Sequence, residues 1–154
     1  MRGWSWSAGL AGLAAACLLS TSRPGFEPLL GTQTAEVRLA PAAATQRMGE
    51  ALRADSIPVT QVEPRDGYVQ TPWFDAATGR PTDRSPLGPD VVRVRGWVNP
   101  GRYGHSDLRI EVAYRALRDP SVPERELERP VPPDHPVRIR VQAALDTLAH
   151  RFGD

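Results

Sequence analysis

The chain has 154 residues with 19 basic and 18 acidic side chains, a formal net charge of +1, so bulk charge implies neither a nucleic-acid partner nor an acidic substrate. A single cysteine excludes an internal disulfide framework, and 16 prolines with 13 glycines predict long irregular connections. The length beyond the N-terminal segments, about 110 residues, suits one domain with one modest core.

Residues 1–17 start with Arg2 beside the amino terminus and continue as a short apolar run. They end in Leu13-Ala14-Ala15-Ala16 directly before Cys17. A charged start, an apolar middle and a small-residue end are the layout of a secretory signal. With its cysteine at that place, the segment resembles the lipobox of bacterial lipoproteins, departing from it in Ala14, where that family prefers Leu, Ile or Val. The resemblance implies that residues 1–16 are a signal peptide, cut before Cys17, and that Cys17 is then acylated. Leu18, in place of the aspartate that retains many such proteins at the inner membrane, implies an outer-membrane protein facing the periplasm. Three other readings use the same residues. Cys17 is a buried free thiol; the segment is an ordinary signal cut at or beyond Ala16; or it stays as a membrane helix, which needs roughly 20 apolar residues and is disfavoured by the short run.

Residues 17–39 carry Ser, Thr, Pro and Gly without a sustained period and predict a lipidated cysteine with a tether of about 20 residues, roughly 25 Å on average. An edge strand at 36–39 is the alternative. One domain then occupies residues 40–154. Residues 40–55 predict a helix: Pro41 suits its first turn, and Ala44, Met48, Ala51 and Leu52 recur at helical spacing. Gly49 weakens it by about 1 kcal/mol relative to alanine. Residues 57–62, pushed towards a sheet edge by Pro58, and residues 68–74 predict a hairpin around the Pro64-Arg65-Asp66-Gly67 turn. Residues 75–90 predict a long polar loop, more simply a solvated connection than a binding loop.

Residues 91–98 alternate Val92, Val94, Gly96 and Val98 against Arg93, Arg95 and Trp97. Residues 108–117 alternate Leu108, Ile110, Val112, Tyr114 and Ala116 against Arg109, Glu111, Ala113 and Arg115. This period of two predicts antiparallel strands with one face on a core and the other towards water. Within residues 118–136, Ser121 and Glu124 have capping-box spacing, enough for one helical turn. Residues 137–152 predict the strongest helix, with Val137, Val141, Ala144, Leu145, Leu148 and Phe152 in one stripe, Asp134 or a neighbour as cap, and Gly153 just past its end.

The order helix, hairpin, hairpin, helix predicts an α+β two-layer domain, a four-stranded antiparallel sheet with both helices on one face. In this arrangement, and in Ala51-Leu52, Val59, Asp66-Gly67, Thr71 and Trp73-Phe74, the chain resembles the helix-grip modules of the lipoprotein subunit of the outer-membrane barrel-assembly machinery. That resemblance implies an assembly module.

Motifs for catalysis are sparse. His105, His135 and His150 fall in separate elements without zinc-site spacing, so no metal is expected. His105-Ser106-Asp107 holds the residue types of a hydrolase triad, but consecutive residues rarely form the relay, and no G-x-S-x-G elbow is present. Asp66, Asp75, Asp83 and Asp90 in loops leave a carboxylate pair open, with ordinary turn residues the simpler reading. No phosphate loop, dinucleotide fingerprint or other cofactor motif appears.

One constellation stands out. Arg93, Arg95, Trp97, Arg109 and Arg115 share the outer face of the two best strands, as a solvated face or as arginines around an indole that grip phosphate or carboxylate. Lipid phosphates or an acidic envelope protein are the targets expected there; export argues against nucleic acid. The leading expectation is a non-enzymatic envelope lipoprotein, an interaction or assembly module tethered through Cys17. A small-ligand or lipid-binding domain with a groove between helices and sheet is the alternative, and a hydrolase using loop carboxylates stands behind it.

Overall fold

The structure, a computed structural model, describes residues 21–82 and 86–153. Cys17, Leu18 and Asp83 lie outside the described residues. The fold is α+β, an antiparallel sheet with three helices. In chain order the elements are β1 (Gln33–Val37), α1 (Pro41–Ala54), β2 (Gln61–Glu63), β3 (Tyr68–Gln70), β4 (Phe74–Asp75), β5 (Val91–Pro100), β6 (Ser106–Arg115), α2 (Glu124–Leu127), β7 (Glu128–Pro130) and α3 (Pro136–Phe152). The sheet has seven strands, not four. It runs β1-β6-β5-β3-β2, and the two short strands β4 and β7 fill the remaining edges of β5 and β6.

The two expected hairpins form its centre. β5 and β6 pair from Val92↔Tyr114 to Pro100↔Ser106, which sets Val94 opposite Val112 and Val98 opposite Leu108 on one face. The hairpin before them is shorter than expected. Ile57 and Val59 are buried but lie outside the ladder, with Pro58 between them lacking an N–H to donate. Residues 68–74 split in two. Thr71 closes β3 through Thr71 N–H to Val94 O at 3.0 Å and Val94 N–H to the Thr71 hydroxyl at 2.9 Å. Pro72 then interrupts the ladder, and β4 resumes opposite Val91 and Val92.

The inner face is covered by α1 and α3. Met48 and Leu52 from α1, and Val141, Leu145 and Leu148 from α3, form one core with Val69, Val92, Val94, Val98, Leu108, Ile110 and Val112. Fully burying aliphatic side chains of this size stabilises by about 1.5–3 kcal/mol each before entropy. Two glycines set the close approach. A Cβ on Gly49 would meet Val62 Cγ2 at 2.8 Å, and one on Gly96 would meet Met48 Cε at 2.9 Å. The glycine that weakens α1 as an isolated helix is therefore the one that lets it lie on β2.

The expected cap of α3, Asp134 or a neighbour, is His135, its Nδ1 accepting from Val137 N–H at 3.2 Å. Ser121 does not cap α2, which starts after Pro123; its hydroxyl donates to Asp119 at 2.6 Å.

The largest correction concerns residues 21–39, expected to be tether with an edge strand at 36–39 as the alternative; an edge strand does form, three residues earlier, at Gln33–Val37. β1 pairs along β6 from Gln33↔Ile110 to Val37↔Ser106, and Val37 lies in the core. The residues before it lie across the outer face of the sheet and are held there by contacts with residues 66, 97, 99, 111 and 125. The folded unit thus begins well before residue 40.

Candidate functional site

Strand alternation carries Arg93, Arg95 and Trp97 of β5, and Arg109, Glu111 and Arg115 of β6, to the outer face, as their spacing predicts. Register sets Arg95 opposite Glu111 and Trp97 opposite Arg109. Most of that face is shielded from solvent, Arg109 being the exception. Residues 21–31 and the α2–β7 segment cover it, leaving Arg95 4% and Trp97 2% exposed. The five expected residues do not act as one site but divide among three clusters.

The first is a buried network of two arginines and two glutamates. Arg95 donates to Glu128 through both terminal nitrogens, at 2.7 and 2.8 Å, and to Glu111 at 2.9 Å. Arg125 of α2 reaches the same two carboxylates, at 2.7 and 3.0 Å from Glu111 and 3.0 Å from Glu128. Leu29 N–H adds a bond to Glu111 at 2.7 Å, and Arg125 also donates to the Glu27 carbonyl at 2.6 Å. Phe26 lies against both guanidinium groups, 4.2 Å from Arg125 and 5.3 Å from Arg95. Burial works against both charges, but bonding to Glu128 first and Glu111 next outweighs it for Arg95 and pushes its pKa up. For Arg125 burial is likewise overcome, by Glu111 and then Glu128. The network is formally neutral and closed. Arg95 is a clamp inside the fold, unavailable to an anion at the surface.

The second cluster surrounds Trp73, not Trp97. The guanidinium groups of Arg93 and Arg115 lie 4.7 and 5.2 Å from the Trp73 ring. Glu124 accepts from Arg115 at 2.8 Å and from the Trp73 indole at 3.0 Å, with Arg93 at 3.9 Å. Desolvation, and then repulsion by Arg95, pull the Arg93 pKa down. Burial acts to raise the Glu124 pKa, but the Arg115 hydrogen bond and charge hold it below its ordinary value. These arginines brace α2 against β4 and the central strands.

The third cluster is open. Residues 23–28 bridge over the end of β5 and enclose a cleft of about 440 Å³ lined by Arg23, Phe26, Glu27, Trp97, Asn99 and Arg109, among others. Arg23 is fixed there by donating to Val98 O at 3.2 Å, Asp66 O at 3.3 Å and the Asn99 side chain at 2.6 Å. Phe26 and Tyr68 each meet Trp97 edge-on, with ring centroids 6.3 and 5.6 Å away. The Trp97 indole N–H is buried and has no hydrogen-bond partner among the described residues. Arg109 is exposed and forms no ion pair among the described residues.

The other expected residues have local roles. Asp66 accepts from Ser22 N–H and hydroxyl, both at 2.8 Å, and Asp75 from Thr78 N–H at 2.7 Å; these bonds lower both pKa values, the opposite of what a general acid needs. Asp90 is exposed. The Ser106 hydroxyl is turned inward, donating to Leu39 O at 2.8 Å, while alternation puts Asp107 on the other side of the strand and His105 lies before it, 3.5 Å from Glu36. No relay joins the three. His135 bonds the Pro89 carbonyl at 2.9 Å besides capping α3, and His150 is exposed. Among the described residues no three acidic, histidine or cysteine side chains gather as a metal site.

Glu128, Arg125, Phe26, Arg23 and Asn99 carry this face and were not singled out by spacing. The legible signal was Glu111, which shares the strand parity of the arginines and faces Arg95 one-to-one. Fold and face together define a two-layer α+β domain with an ionic outer sheet face covered by its own N-terminal segment. No protein-family model matches the chain, and no curated protein matches it.

Proposed function

We propose that the protein is a non-enzymatic envelope lipoprotein, attached through acylated Cys17 and presenting one interaction or assembly module. The observation that carries this reading is the junction between sequence and fold. The lipobox-like Leu13-Ala14-Ala15-Ala16-Cys17 run lies only five residues before Ser22, where the chain is already bonded to Asp66. Among the described residues no helix is long and apolar enough to cross a membrane. Two or more acyl chains would hold such a module stably, since each buried methylene contributes about 0.8 kcal/mol. Leu18 favours the outer membrane, and an envelope protein is the partner class. The likeness to helix-grip assembly modules belongs to the same proposal.

The test is intact mass and detergent partitioning of the full chain made in a bacterial host, beside Cys17→Ala. A product beginning at Cys17 with added acyl mass, absent in the variant, is the expected result. A soluble unacylated product overturns the reading. A ligand- or lipid-binding domain is the second reading, favoured by the cleft at Trp97 and Arg109. It is not the groove between helices and sheet expected from the sequence, because Met48, Leu52 and Leu145 fill that interface.

A further inference from the structure

We infer that the cleft formed by residues 23–28 with Trp97, Asn99 and Arg109 binds a phosphate group, presented by a lipid headgroup or as a free phosphate ester.

The lining is rich in donors. Among the described residues Arg109 offers an exposed guanidinium that forms no ion pair, and the buried Trp97 indole N–H in the wall has no acceptor. The hydrogen bonds of Arg23 there go to neutral acceptors, Val98 O, Asp66 O and the Asn99 amide oxygen. Against these two cations stands one lining carboxylate, Glu27. The volume of about 440 Å³ admits a phosphate with part of its ester. Guanidinium with N–H donors is the chemistry that holds phosphate oxygens.

Position favours the headgroup as source. Arg23 lies six positions after Cys17, at most about 20 Å of extended chain. An acylated Cys17 would therefore keep this end of the sheet at the bilayer surface. The same end carries the β5–β6 turn, where Tyr103 is fully exposed; a phenol of that kind suits the interface between lipid and water. Only this choice of source rests on the lipoprotein reading. The phosphate site itself stands on the cleft.

The experiment follows the Trp97 indole ¹H–¹⁵N resonance of the full chain in a phosphate-free maltoside detergent, assigned with Trp97→Phe. Inorganic phosphate and short-chain phosphatidylglycerol are titrated separately. A saturable shift with either probe is expected, weakened about tenfold or more by Arg109→Gln, as loss of a charge-assisted bond implies. Tighter binding of the lipid assigns the headgroup as source, and tighter binding of inorganic phosphate a free ester. No shift with either probe, or a shift that Arg109→Gln leaves unchanged, overturns the site. Arg109 is exposed, so unaltered dispersion of the other resonances verifies that the variant is folded. Intact mass of the same preparation separates the two proposals. Acylated protein without the shift sinks the phosphate site alone, and an unacylated protein with it sinks only the lipoprotein reading.

Discussion

The two faces of the sheet are built from alternate residues of the same two strands, β5 and β6, and both are covered, the outer one except at Arg109, by opposite means. On the inner face, Val92, Val94, Val98, Leu108, Ile110 and Val112 meet the apolar stripes of α1 and α3. On the outer face, Arg95 and Glu111 meet Arg125, Glu128 and the backbone of an irregular segment. Apolar contact is non-directional and tolerates any helix that presents the right stripe. The ionic face is directional. It forms only if four charged groups arrive with their bonds matched, because desolvating an unpaired charge costs more than packing returns. The lesson is that charge on strand parity does not mean exposure when opposite charges face each other across the ladder.

The largest expected effect comes from reversing one charge in that network. Arg95→Glu would set three carboxylates around Arg125, and removing one partner of a buried pair already costs about 3–5 kcal/mol. Loss of the cooperative urea transition is expected; a well-folded variant would show that the outer face is wetter than its burial implies. On the inner face, Leu145→Ala should lower stability by about 2–5 kcal/mol with the fold retained, measured by the same denaturation. The comparison sharpens if Arg95→Glu abolishes folding where Leu145→Ala only weakens it.

A smaller effect appears at alkaline pH. Tyr68 lies under the outer face and donates to Gln70 at 2.7 Å, and burial pushes its phenol up to about 12 from an ordinary 10. A raised phenol favours the folded state fully below pH 10, and that contribution is lost as pH rises from about 10 to about 12. Denaturation midpoints across this window should fall in the parent and less in Tyr68→Phe. The smallest effect belongs to the half-exposed Glu124. Its lowered pKa stabilises the fold above about pH 4.5 and ceases to do so as pH falls through the folded value; solvent screening keeps this under about 1 kcal/mol. Glu124→Gln should flatten that acid limb slightly.

Short-range pattern made the central half of the fold legible. Alternation in β5 and β6 determined which residues share a face, and the stripe from Val137 to Leu148 determined that α3 covers something apolar, because both signals repeat along consecutive turns or pleats. The class α+β follows from their order. Cys17 and its apolar run are likewise a feature of sequence alone. Tertiary structure decided the rest. β4 and β7 are too short to carry a period, and residues 22–29 hold the sheet through single contacts, Arg23 to Asn99 or Leu29 to Glu111, more than 75 positions apart in the chain. Which arginine is clamped, which braces Trp73 and which stays open depends on where Glu111, Glu124 and Glu128 arrive. Coulomb attraction depends on distance in space, and only the folded chain sets that distance.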